Sequence, residues 1–200
     1  MTVNDDAIVW AFDGHDGRDE GLAALLGFYQ SHLAQLLPED SDDPFERIVA
    51  GMSDDPTETM RSHPRLARLF PPALADERAS GEFWRNTVGD QARARLTAAE
   101  AVQADLASWE GYIPVRLAAI GDWAKTLGGR RLFWYAELAG TDRLAQPSEE
   151  AIEANPALVD LVEWLGFLLE DLMESRDVCA EEGHSLDPGQ FRVRGHGGRD

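Results

Sequence analysis

The leucine pattern near the C-terminal end constrains this chain most. Leu158, Leu161, Val162, Leu165, Leu168, Leu169 and Leu172 recur at the three- and four-residue steps of a single helix face. Asn155–Pro156 supplies a start, a capping residue followed by proline at the first helical position. Asp160, Glu163, Glu170, Asp171 and Glu174 take the opposite face. A helix from about Asn155 to Arg176 with so continuous an apolar stripe is stable in water only when the stripe is covered. The chain must therefore fold as helices packed on helices.

Other segments supply the partners. Leu22, Leu25, Leu26, Tyr29, Leu33 and Leu36 form one face of a helix from about Glu20 to Leu37, with Asp19 as its cap. Pro38 and the acidic loop Glu39–Asp43 end it, and Pro44 opens a short helix to Met52. Leu66, Leu69 and Phe70 share one side of a short helix stopped by Pro71–Pro72. A long helix follows, from about Asp76 or Ser80 to Trp109, with Trp84, Val88, Ala99, Val102, Leu106 and Trp109 on one face. Ala118–Leu127 and Arg130–Leu138 are helical in pattern. Gly128–Gly129 either separates them or sits inside one helix at roughly 1 kcal/mol per glycine. Ala7–Phe12 is compatible with one short strand, and Tyr112–Leu117 with an extended link constrained by Pro114. The expectation is a mostly α protein, a compact bundle of about five to seven helices, with at most that N-terminal strand and the link near 112–117. Residues 1–178 read as a single helical domain. Residues 179–200, poor in apolar side chains, read as a disordered tail.

Charge narrows the function. The 200 residues carry 37 acids against 18 bases, a net charge of −19. That opposes approach to phosphate backbones and anionic membranes and favours basic protein partners. The arginines between Arg61 and Arg95 are interleaved with acids and read as local ion pairs, so direct nucleic-acid binding is not expected. No run of about 18 apolar residues is present, and Met1–Asp6 is acidic where a signal peptide would be basic. Cytoplasm is the expected compartment. With Cys179 the single cysteine, no intrachain disulfide can form within these residues.

Catalytic and metal signatures are missing: there is no HExxH, CxxC, P-loop, GxGxxG or GxSxG. Asp13, His15 and Asp16 fall short of a calcium loop, whose twelfth position here is Ala24. No catalytic residue, cofactor or metal is assigned. His32 reads as a core-edge histidine and Cys179 as a bystander. Two oddities remain. Arg95 lies on the apolar stripe of the long helix and needs a partner. It reads as a structural ion pair fixing two helices, with ligand binding as the alternative. Phe167 projects into the acidic face of the last helix, with Trp164 at the edge of that face. Either both rings are core, or they form an aromatic anchor among acids, with Glu163 and Glu170, suited to an arginine-rich partner.

Four segments in order resemble one family: HPRLARLFPPA at 63–73, EFWRNTVGDQARARLTAAEAV at 82–102, VRLAAIGDWAKTLGGRRLFWYAEL at 115–138 and LVEWLGFLLEDL at 161–172. Together they are similar to an actinobacterial family first defined as a domain of unknown function and now described as AosR-like oxidative-stress regulators. The resemblance spans about Gly21 to Glu174. It implies a mostly helical cytoplasmic protein without enzymatic activity, regulating transcription under redox stress through protein contacts, a sigma factor among them. It also implies gene neighbours for the ClpS proteolytic adaptor and a sulfur-carrier route to cysteine. A basic partner such as a sigma factor or a proteolytic adaptor component is therefore expected. The departure is Cys179: an internal disulfide switch needs two cysteines. The other reading of the chain is a small-molecule sensor or uncharacterised enzyme with a pocket near Arg95 and Tyr29.

Overall fold

A computed structural model describes residues 4–37, 43, 56–71, 76–141 and 145–195. Among these, seven α-helices and four short strands follow in the order β1 (Ile8–Asp13), α1 (Arg18–Ala34), α2 (Thr57–Ser62), α3 (Pro64–Leu69), α4 (Glu77–Ser108), β2 (Trp109–Glu110), β3 (Tyr112–Arg116), α5 (Ile120–Ala139), α6 (Glu149–Ala154), α7 (Pro156–Glu182) and β4 (Arg192–Val193). The mostly α bundle expected from the apolar periodicities is what forms. The short helix expected from Pro44 to Met52 lies outside the described residues.

The centre of the bundle is α5. It packs against α7, α3 and α4, while α1 packs on α4. Each apolar face goes where its spacing requires. Leu22, Leu26, Tyr29 and Leu33 of α1 are buried, as are Trp84, Val88, Ala99, Val102 and Leu106 of α4. Asp76 caps α4, its carboxylate accepting from Ala79 N–H at 2.8 Å. Three tryptophans tie elements together through their indole N–H groups. Trp10 donates to Asp171 at 2.7 Å, Trp84 to the Phe70 carbonyl at 2.8 Å and Trp123 to Asp105 at 2.8 Å. Each meets the need of a buried indole for one acceptor. Burial pushes the Asp105 carboxyl above its usual range, and the Trp123 hydrogen bond works against that rise.

The strand and the extended link turn out to be partners. β1 pairs antiparallel with β3, Trp10 opposite Val115 and Phe12 opposite Ile113. Pro114 is tolerated because a two-stranded sheet leaves one side of each strand unpaired.

Of the two arrangements open at Gly128–Gly129 the inclusion holds: α5 is one continuous helix with both glycines inside it. Three expectations need correction. First, Asp19 does not cap α1, which starts at Arg18 with Gly17 before it. Second, Asn155 precedes α7, yet its side chain does not cap that helix; its amide donates back to the Ala151 carbonyl at 2.9 Å. Third, the polar tail beyond 178 is structured up to residue 195. α7 continues to Glu182, Leu186 N–H donates to the Ile8 carbonyl at 2.8 Å, and β4 pairs with β2. Arg194 holds this return in place, donating to the Trp109 carbonyl and to the Asp19 carboxylate. Composition predicted disorder because little apolar area is present. Backbone pairing and one ion pair organise the segment instead.

Candidate functional site

The outer face of α7 collects the residues that the sequence singled out. The helix turns Val162, Leu165, Leu168 and Leu172 inwards. A three–four step from Asp160 then places Glu163, Phe167, Glu170 and Glu174 along the outside, all exposed. Phe167 is 65% exposed, while Leu165 two residues earlier is fully buried. Trp164 does not join Phe167. It is half-buried against the core, its ring 6.3 Å from that of Phe12. The two aromatics expected as one anchor are therefore divided: Trp164 packs at the core edge and Phe167 stands alone among carboxylates.

Arg95 has found a partner of a different kind from the one expected. Its guanidinium donates to the Leu69 carbonyl at 3.1 Å and lies 5.4 Å from the centroid of the Phe70 ring. Among the described residues it forms no ion pair with a carboxylate. The C-terminal end of α3 offers an unsatisfied carbonyl and a π face, and both attract a cation. Arg95 still fixes how two helices dock, α3 on α4.

Beneath Arg95 lies a polar layer that sequence reading missed. Tyr29 of α1 and Arg130 of α5 are almost wholly buried, at 1% and 0% exposure. Nε and Nη2 of Arg130 and the neighbouring Thr126 hydroxyl have no hydrogen-bond partner. Nη1 of Arg130 donates to the Leu22 carbonyl at 3.5 Å. Burial lowers the Arg130 pKa to about 9 and raises that of Tyr29, while the charges of Arg95 and Arg130 pull Tyr29 the other way. Gly129 makes the layer possible. A Cβ there would stand 2.5 Å from the Tyr29 hydroxyl and 3.0 Å from Nη1 of Arg95. The helix accepts a poor helix former because α1 and α4 approach its backbone at that point. A signal was available: Trp123, Leu127 and Arg130 are spaced as one face of an unbroken helix. With a break at the glycines left open, that register is not carried across them.

The remaining candidates are structural. Asp13 accepts from both the backbone and the ring of His15 and pairs with Arg18; these contacts, the His15 ring bond foremost, hold its carboxyl below the usual range. Among the described residues no cluster of three histidine, cysteine or acidic side chains could hold a metal ion. His32 donates through Nδ1 to the Phe28 carbonyl at 2.9 Å and packs on Phe28 and Phe133. Cys179 is buried within α7, not in a loose tail. No described helix is long and apolar enough to cross a membrane.

The helices that carry these features lie within a segment that matches one family model, a domain of unknown function, DUF2017, over residues 3–175. This chain belongs to the DUF2017 family. Neither a curated protein nor a solved structure matches it. Membership covers β1 through residue 175 of α7, so the Phe167 face and the Arg130 layer both fall inside the family domain. The β4 return lies outside it.

Proposed function

We propose that this protein is a non-enzymatic cytoplasmic regulator that docks a basic protein partner on the outer face of α7. Phe167 carries the reading: a large ring, 65% exposed, surrounded by Glu163, Glu170 and further acids of the same stripe. An exposed aromatic ringed by charge has the composition of an interface anchor with a polar rim. The acids select for arginine and lysine, and the net charge of −19 adds long-range attraction for a basic partner. The resemblance to AosR-like oxidative-stress regulators supplies the class of partner, a sigma factor, with a proteolytic adaptor component as the other candidate. An oxidative signal would not travel through an internal disulfide, because Cys179 is the single cysteine and is buried.

The test is a direct titration of the full chain with purified stress-response sigma factors encoded in the same genome. Phe167→Ala should weaken binding by about tenfold or more while the fold survives. Reversing Glu163 and Glu170 to lysine should slow association and flatten its salt dependence. Binding unchanged in both variants would remove this face as the contact.

A further inference from the structure

A cavity on the side of α5 facing α3 and α7 combines charge and apolar surface. It encloses about 540 Å³ and is lined by Arg68, Gly128, Arg131, Leu132, Tyr135 and Leu169, with Gln146 at one margin. That volume is in the range of small-molecule sites. Two guanidiniums reach this one cavity. Arg65, one turn before Arg68, is paired with Glu137 at 3.0 Å, and Arg78, Arg93, Arg176 and Arg194 also hold carboxylates. Arg68 and Arg131 hold none among the described residues.

Both guanidiniums are positioned. Nε of Arg68 is buried without a hydrogen-bond partner, a condition that costs free energy until an acceptor arrives. Arg131 lies over Gly166 of α7. A Cβ at that glycine would stand 2.9 Å from Nε and 3.1 Å from Cζ, so the missing side chain is what lets the guanidinium rest there. On the cavity wall Leu132 is 36% exposed and Leu169 is half-buried. No carboxylate lines the cavity among the described residues.

We propose that this cavity binds a small amphipathic organic anion, a carboxylate or phosphate monoester on an aliphatic or aromatic body, through Arg68 and Arg131. The anionic head takes the unpaired guanidinium donors, which bind such oxygens through charge-assisted hydrogen bonds. The apolar body lies along Leu132 and Leu169. The cavity is separate from the Phe167 stripe, so the regulator would carry a ligand input on one face of α7 and a partner contact on another.

The experiment is calorimetric titration of the full chain with sodium decanoate and with sodium decyl phosphate, each below its micelle concentration, and with decanol as the neutral control. Saturable binding of at least one anion is expected, with decanol at least about tenfold weaker. Arg131→Gln should weaken the anion by about tenfold. Arg68→Gln should do the same, and Arg93→Gln, on the exposed side of α4, should not. Circular dichroism checks each variant; if Arg68→Gln unfolds, Arg131→Gln carries the test alone, since Arg131 is exposed and its loss leaves the core intact. No saturable binding of either anion, equal affinity for decanol, or full affinity in folded Arg131→Gln would overturn the proposal.

Discussion

The inner side of α5 and the outer side of α7 depart from the usual sorting of side chains in opposite directions. α5 carries a guanidinium, Arg130, into the core, where two of its nitrogens find no acceptor. α7 carries a phenyl ring, Phe167, out among carboxylates. An uncompensated charge in the interior costs several kcal/mol, whereas one exposed ring costs little in the isolated protein. The first departure is therefore a burden on stability that the rest of the core must carry. The second has almost no energetic consequence until something covers it. An exposed oddity of low cost is the better guide to a binding surface, and a buried oddity of high cost is the better guide to how the fold is held in register.

The contrast can be broken most directly on α7 itself. Leu165→Ala should cost about 2–5 kcal/mol in denaturant unfolding, the usual range for emptying a buried leucine site. Phe167→Ala should change stability by less than about 0.5 kcal/mol. A large loss in Phe167→Ala would show that the ring supports the fold and would sink its reading as a contact.

A smaller but more diagnostic effect is expected at Arg130. Arg130→Met keeps much of the volume and removes the charge, and should stabilise the protein by about 1–4 kcal/mol at neutral pH. The gain should depend on pH. In the unfolded chain the guanidinium keeps its proton throughout the accessible alkaline range, whereas in the fold burial lowers its pKa to about 9. Above pH 9 the unfolded state binds the extra proton, so the native protein's stability rises with pH on this account. The gap between native protein and Arg130→Met should then narrow from neutral pH to just below 10, a window in which Tyr29 stays neutral in the fold because its pKa is raised. A gap that stays constant over that window would mean that Arg130 keeps its proton in the fold.

The smallest effects come from a pair of glycines. Gly129→Ala should destabilise by about 1–3 kcal/mol through overpacking against the Tyr29 hydroxyl, less the helix-propensity gain. Gly89→Ala in α4 has open space at its Cβ and should stabilise by about 0.5–1 kcal/mol. Opposite signs in thermal melts would confirm that α5 keeps its glycine for close approach and not for flexibility.

Helix existence was legible along most of the chain, because apolar spacing records which face is covered whatever covers it. Val162, Leu165, Leu168 and Leu172 of the α7 stripe, Trp84, Val88, Ala99, Val102 and Leu106 of the α4 face and the Leu66–Phe70 turn are buried as their spacing singled out, while Leu158, Leu161, Leu169 and Trp109 are half-buried. The position of Phe167 among acids was readable, but whether its ring is covered by another element was not. The burial of Arg130 was not readable either, because glycine propensity left a break open at the very point where tertiary crowding required a small residue. The return beyond 178 was hidden for another reason: its order rests on backbone hydrogen bonds to β1 and β2, and no side-chain pattern reports those.

By itself, the amino-acid sequence determined the helical class, the acidic surface, the inward faces of the helices and the exclusion of an internal disulfide. These follow from local periodicity and from counts, which no packing arrangement can alter. Tertiary structure decided which cations are left without acids, that Trp164 turns to the core while Phe167 does not, and that a strand and a link 100 residues apart form one sheet. Those outcomes depend on which elements meet, and pairings between distant segments are set by shape and burial across the whole fold, not by any single stretch of chain.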